Sequence, residues 1–95
     1  MPNVQRAYDQ IVREAKRAGA RRVVLFGSRA RGNNRLKSDI DIAVEGCADC
    51  DALRYALDND VETLLGIDLV DLDTTHSDEL RREIARDGIV LYEEV

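Results

Sequence analysis

Ninety-five residues with 14 basic and 19 acidic side chains carry a net charge of −5, and 44% of the chain is apolar against 35% charged. A chain this short holds one core, so a single domain over 1–95 is expected, lean enough to gain stability from a homo- or hetero-oligomeric partner. The acid excess argues against bulk nucleic-acid binding, no apolar run approaches the roughly 20 residues of a membrane span, and no apolar signal core opens the chain, so a cytoplasmic place is expected.

In chain order, Val4, Tyr8, Ile11, Val12 and Ala15 recur at helical spacing, with Asn3 as a candidate N-cap and Gly19 able to close the helix in a left-handed conformation. Residues 22–26, Arg-Val-Val-Leu-Phe, form a β-branched apolar run ending at Gly27 and predict a buried strand. Residues 28–38 are polar and basic without periodicity, a loop able to open with one helical turn. The alternation in Asp39–Val44 predicts a second strand ended by Gly46. Asp49 or Asp51 caps a helix expected to carry Leu53, Leu57, Val61, Leu64 and Leu65 on one face and to stop at Gly66. Residues 67–72 predict a third strand. Ser77 or Thr75 caps a last helix through Leu80 and Ile84 to Gly88, and residues 89–92 predict a final strand. This order makes an α/β sandwich, one sheet with helices packed against it.

Asp39 and Asp41 lie two apart on a predicted strand, so their carboxylates leave the same face while Ile40 and Ile42 turn to the core. Two adjacent carboxylates repel unless something positive lies between them, and hard oxygen donors suit Mg²⁺. Upstream, Gly27 ends a buried strand where backbone N–H groups can approach a phosphate, and the Ser28 hydroxyl adds a contact. The ten residues from Arg29 to Ser38 hold Arg29, Arg31, Arg35 and Lys37, a basic island on an acidic protein. Arginine forks match phosphate geometry. Cys47 and Cys50 have C-x-x-C spacing, but His76 is the only further soft ligand and the sole proline is Pro2, so neither a zinc site nor a thioredoxin-like pair is expected.

Gly27-Ser28, ten residues, then Asp39-Ile40-Asp41 within LFGSRARGNNRLKSDIDIAV resembles the signature of the DNA polymerase β-like nucleotidyltransferases. Within that superfamily the short chain is similar to the minimal nucleotidyltransferases, or MNT proteins, and IDLVDL and DGIVLYEE extend the likeness over nearly the whole chain. The resemblance implies a polymerase β-like core, a small mixed sheet with helices against it. It implies three metal-binding catalytic carboxylates, Asp39, Asp41 and a third acid among Asp68, Asp71 and Asp73. Strand alternation puts Asp68 and Asp71 on opposite faces, and the family's pattern of an acid flanked by apolar residues favours Asp68. Gly27, Ser28, Arg29, Arg31 and Ser38 are then the expected nucleotide contacts, with Mg²⁺ as cofactor and ATP as the default donor.

MNT proteins are similar to antitoxins paired with HEPN-family toxins, so the resemblance implies transfer of AMP to a tyrosine of such a partner. A non-catalytic binding antitoxin and a small-molecule nucleotidyltransferase are the alternative readings.

Overall fold

The computed structural model describes residues 4–94, so the cap expected at Asn3 lies outside the described residues. Helix α1, Val4–Arg17, buries Ala7, Ile11 and Ala15. Its end is closed by Gly19 at φ 83°, with the Ala20 N–H donating to Ala15 O at 2.9 Å. Only glycine takes that left-handed turn without a steric penalty.

Strand β1, Arg22–Phe26, runs into Gly27 and the single turn α2, Ser28–Arg31. Strand β2, Ile40–Glu45, is followed by helix α3, Cys50–Asn59, then β3, Ile67–Asp71, helix α4, Asp78–Asp87, and β4, Ile89–Glu93. The sheet order is β3-β2-β1-β4. β1 lies antiparallel to both β2 and β4, and β2 lies parallel to β3. The β2–β3 crossover through α3 is what a parallel neighbour requires.

Strand alternation divides the core into two layers. On one face Val23 and Leu25 of β1 and Ile40, Ile42 and Val44 of β2 meet Ala7, Ile11 and Ala15 of α1 and Leu53 and Leu57 of α3. On the other, Val24, Phe26, Ala43 and Leu72 meet Ile84 of α4. The second layer is the thinner, one helix instead of two. It is also the face to which Asp41, two residues before Ala43, belongs.

Asp49, not Asp51, caps α3, its carboxylate accepting from the Ala52 N–H at 3.0 Å, and Ser77, not Thr75, caps α4 by accepting from the Leu80 N–H at 3.2 Å. Helix α3 does not run on to Gly66: it stops at Asn59, and residues 61–66 are a loop. The run Asp58-Asn59-Asp60 consists of side chains that compete for backbone groups, and Asn59 Nδ2 indeed donates to Tyr55 O at 2.8 Å. The Glu62 N–H then donates to Gln10 on α1 at 2.6 Å, and Val61 is buried while Leu64 is fully exposed. No helix among the described residues is long and apolar enough to cross a membrane.

Candidate active site

Gly27 and Asp41 touch. Phe26 pairs with Asp41 across the β1–β2 ladder, which brings the next residue, buried Gly27, against the aspartate side chain. A Cβ at position 27 would collide with Asp41 Oδ2. Gly27 also adopts φ 76° and ψ −157°, a conformation that side chains disfavour. Its carbonyl accepts the N–H groups of Ala30 and Arg31, each at 3.1 Å, which winds the chain into α2. The Ser28 and Arg29 amides head that turn and have no backbone acceptor among the described residues. The turn after the first strand and Asp41 on the second therefore meet at one place.

Asp68 stands directly beside Asp41 in the parallel β2–β3 register. Asp39 sits just before β2, and a Cβ on Gly66 would lie 2.7 Å from Asp39 Oδ1. The sheet order thus sets Gly27 on one side of the acids and Gly66 on the other. Asp71 lies on the opposite face of β3, three residues on from Asp68. Its Oδ1 accepts from the Asp73 N–H at 2.9 Å, and Asp73 Oδ2 in turn accepts from the Gly46 N–H at 2.7 Å. Asp71 and Asp73 are thus tied into the turn after β3, away from Gly27.

Burial first, then the neighbouring charges of Asp68, Asp39 and Glu83, push the Asp41 carboxyl above its ordinary value. Among the described residues none of Asp39, Asp41 and Asp68 forms an ion pair with a lysine or arginine. A set of like charges without a protein cation, made of hard oxygen donors, suits a divalent ion such as Mg²⁺. As the side chains lie, no three His, Cys, Asp or Glu among the described residues are drawn into a ready metal-binding group, so the fit is one of donor chemistry.

The basic loop is held by contacts of its own side chains. Arg29 donates from Nε to Ser38 O at 2.9 Å and from Nη2 to Leu36 O at 3.2 Å, clamping its own loop. Ser38 Oγ accepts from the Arg35 N–H at 2.8 Å, so it too staples the loop. Arg31 reaches Glu83 of α4 at 3.0 Å. Of the expected nucleotide contacts, Gly27 adjoins Asp41 and Ser28 follows it at the head of α2, while Arg29, Arg31 and Ser38 have protein partners. Glu83 was not foreseen in the sequence, although its place beside Ile84, three residues after Leu80, sets it at the edge of α4's core-facing side. The thiols are both free and half-buried, and burial first, then Cys47 and Asp71, push the Cys50 thiol up to about 12. That disfavours the thiolate a redox pair needs.

A four-stranded mixed sheet with a glycine turn lodged against a carboxylate row defines a class, the enzymes that transfer nucleotidyl groups. Residues 9–95 match the family described as Polymerase beta, Nucleotidyltransferase. The chain belongs to that family and is a nucleotidyltransferase. A relative from Methanocaldococcus jannaschii, provisionally named a protein adenylyltransferase, is 32% identical, with 95% of this chain and 99% of the relative covered. Among solved structures, a toxin–antitoxin crystallised with AMP-PNP superposes with a TM-score of 0.69 at 27% identity, covering 90% of this chain and 73% of that one. A complex of a tri-AMPylated Shewanella oneidensis HEPN toxin with its MNT antitoxin gives 0.63 at 27% identity, covering 94% and 71%.

Proposed function

We infer that this chain is a cytoplasmic MNT antitoxin that transfers AMP from ATP to a tyrosine hydroxyl of a HEPN-family partner. The observation that carries the reading is the contact of Gly27 with Asp41, with Asp68 alongside. The adenylyltransferase name of the archaeal relative and the AMPylated toxin in the second complex support the acceptor class.

In this reading Gly27, with no side chain, lets the Ser28 and Arg29 amides and the Ser28 hydroxyl close on the β- and γ-phosphates. Asp39 and Asp41 would hold Mg²⁺ for the polyphosphate, and Asp68 would complete that set on the side where the acceptor oxygen arrives. Bound there, Mg²⁺ supplies charge neutralisation and lowers the pKa of the attacking hydroxyl. The phenolic oxygen forms a bond to the α-phosphorus as the bond to the bridging α–β oxygen breaks. Pyrophosphate leaves with the electron pair, and the phenolic proton passes to solvent. Because Asp41 and Asp68 sit on paired strands of one sheet, with Asp39 just before β2, their positions are set before substrate arrives, and positioning supplies much of the catalysis.

The test is incubation with α-labelled ATP, Mg²⁺ and a HEPN-family protein, sought first in the gene next to this chain's own. Label is expected on the partner, stable after denaturation and absent with Asp41→Ala. A tight complex without label would instead make this a binding antitoxin, and label on small hydroxylated compounds alone would make it a small-molecule transferase.

A further inference from the structure

The transfer described above needs a place for the acceptor. An in-line displacement brings the incoming oxygen from the side opposite the leaving pyrophosphate. With the polyphosphate at Gly27, the sheet order β3-β2-β1 puts that opposite side across β2, toward Gly66 and β3. A groove of ≈450 Å³ lies there, lined by Leu36, Lys37, Asp39, Leu64, Leu65 and Gly66. Its volume falls within the roughly 300–1,000 Å³ typical of ligand pockets.

The groove has two rims, each tied down. Leu36 rides on the loop that Arg29 clamps through the carbonyls of Leu36 and Ser38. On the other rim the Leu65 N–H donates to Thr63 Oγ1 at 3.1 Å, and Gly66 O accepts the Ile40 N–H at 2.8 Å. Leu65 packs against the larger core layer, which leaves its neighbour Leu64 turned outward. Leu64 is fully exposed and Leu36 is 69% exposed. Single exposed leucines are ordinary. Two of them lining one groove, with Asp39 in its wall, form an apolar mouth beside a site carboxylate.

The chemistry of the lining picks the occupant. A serine or threonine acceptor would leave both leucines uncovered, whereas a phenol has an apolar ring for the rims and a hydroxyl for the Asp39 end. We propose that Leu36 and Leu64 are the docking jaws for the tyrosine-bearing segment of the acceptor protein, and that they set acceptor choice without taking part in nucleotide binding. The proposal rests on the transferase reading above.

The experiment compares wild type with Leu36→Ser, Leu64→Ser and the double variant. Both side chains are exposed, so unchanged melting temperatures are expected. With the HEPN-family protein as acceptor, the double variant should raise KM for that protein by about tenfold or more while kcat stays nearly constant, the size of loss a contact hot spot gives. The Kd for AMP-PNP should not move. An unchanged acceptor KM overturns the proposal, and so does a weakened AMP-PNP Kd, which would make the groove a base pocket. If wild type labels nothing, the transferase reading fails, but the groove is still decided by the leucine methyl resonances. Shifts of Leu36 and Leu64 on adding the HEPN-family protein uphold it, and still resonances overturn it.

Discussion

At the end of the sheet where β1 finishes, Asp39, Asp41 and Asp68 are neighbours without a lysine or arginine partner among the described residues. At the opposite end, Asp71 and Asp73 accept backbone N–H groups, and Arg22 stands 3.9 Å from Glu45 and 3.8 Å from Glu93. Both ends hold clustered acids on the same strands, yet only one end satisfies them within the protein. A carboxylate that shapes the fold has its hydrogen bonds made for it, while one kept for a ligand is left with lone pairs unmatched and its charge opposed by its neighbours.

Substitutions at matched positions on β3 test that contrast most sharply. Asp68→Asn should cut transfer by about 100-fold or more, because it removes an interaction made at the reacting centre. Asp71→Asn, on the other face, should leave kcat within about twofold. Equal losses in a labelled-ATP assay would mean that the two faces had been wrongly distinguished. Next in size is Gly27→Ala. The added methyl collides with Asp41 and the residue is held at φ 76°. A stability loss of about 1–3 kcal/mol in urea titration, with transfer largely abolished, is expected.

The structural end should behave in reverse. Asp73→Ala removes the acceptor for the Gly46 N–H and should cost about 1 kcal/mol in the same titration, with unchanged turnover. A drop in turnover matching that of Asp68→Asn would erase the division between the ends. The smallest effect is expected at Glu83→Gln. Glu83 both pairs with Arg31 and helps raise the Asp41 pKa. A raised carboxyl pKa means that the native state holds its proton longer than the unfolded chain. Asp41's stabilising share is therefore complete below its ordinary value and is lost as pH rises through the folded one. Without Mg²⁺, Glu83→Gln should soften that loss across the acid range. It should also lower KM for ATP about two- to fivefold if Arg31, once freed, turns to the phosphates. A rise in KM would assign Arg31 to α4 alone.

Much of this arrangement could be read from the chain. Apolar runs and alternation locate every strand, and the polymerase β-like spacing of Gly27-Ser28 with Asp39 and Asp41 points to two segments that meet at Gly27 and Asp41. Strand alternation separated Asp68 from Asp71 before any coordinates. The miss at α3 has a local cause. Leucines at 53, 57, 61, 64 and 65 fit a helical face, but the Asp58-Asn59-Asp60 run ends the helix through side chain–backbone competition that periodicity does not weigh. Gly66, expected as a helix stop, instead makes room for Asp39. The loop arginines have a second use that composition does not reveal. A cation beside a phosphate motif can as easily hold its own loop, and only the hydrogen bonds of Arg29 and the ion pair of Arg31 separate the two uses.

The anchoring of the groove's rims has a consequence for how such a domain can diversify. Leu36 and Leu64 sit on connecting segments, outside the strands that carry Asp41 and Asp68. Exchanging those two short stretches would retarget the domain to another client while its reaction centre stayed the same. New specificities could thus arise by small insertions or swaps at the mouth, with no penalty to the chemistry behind it.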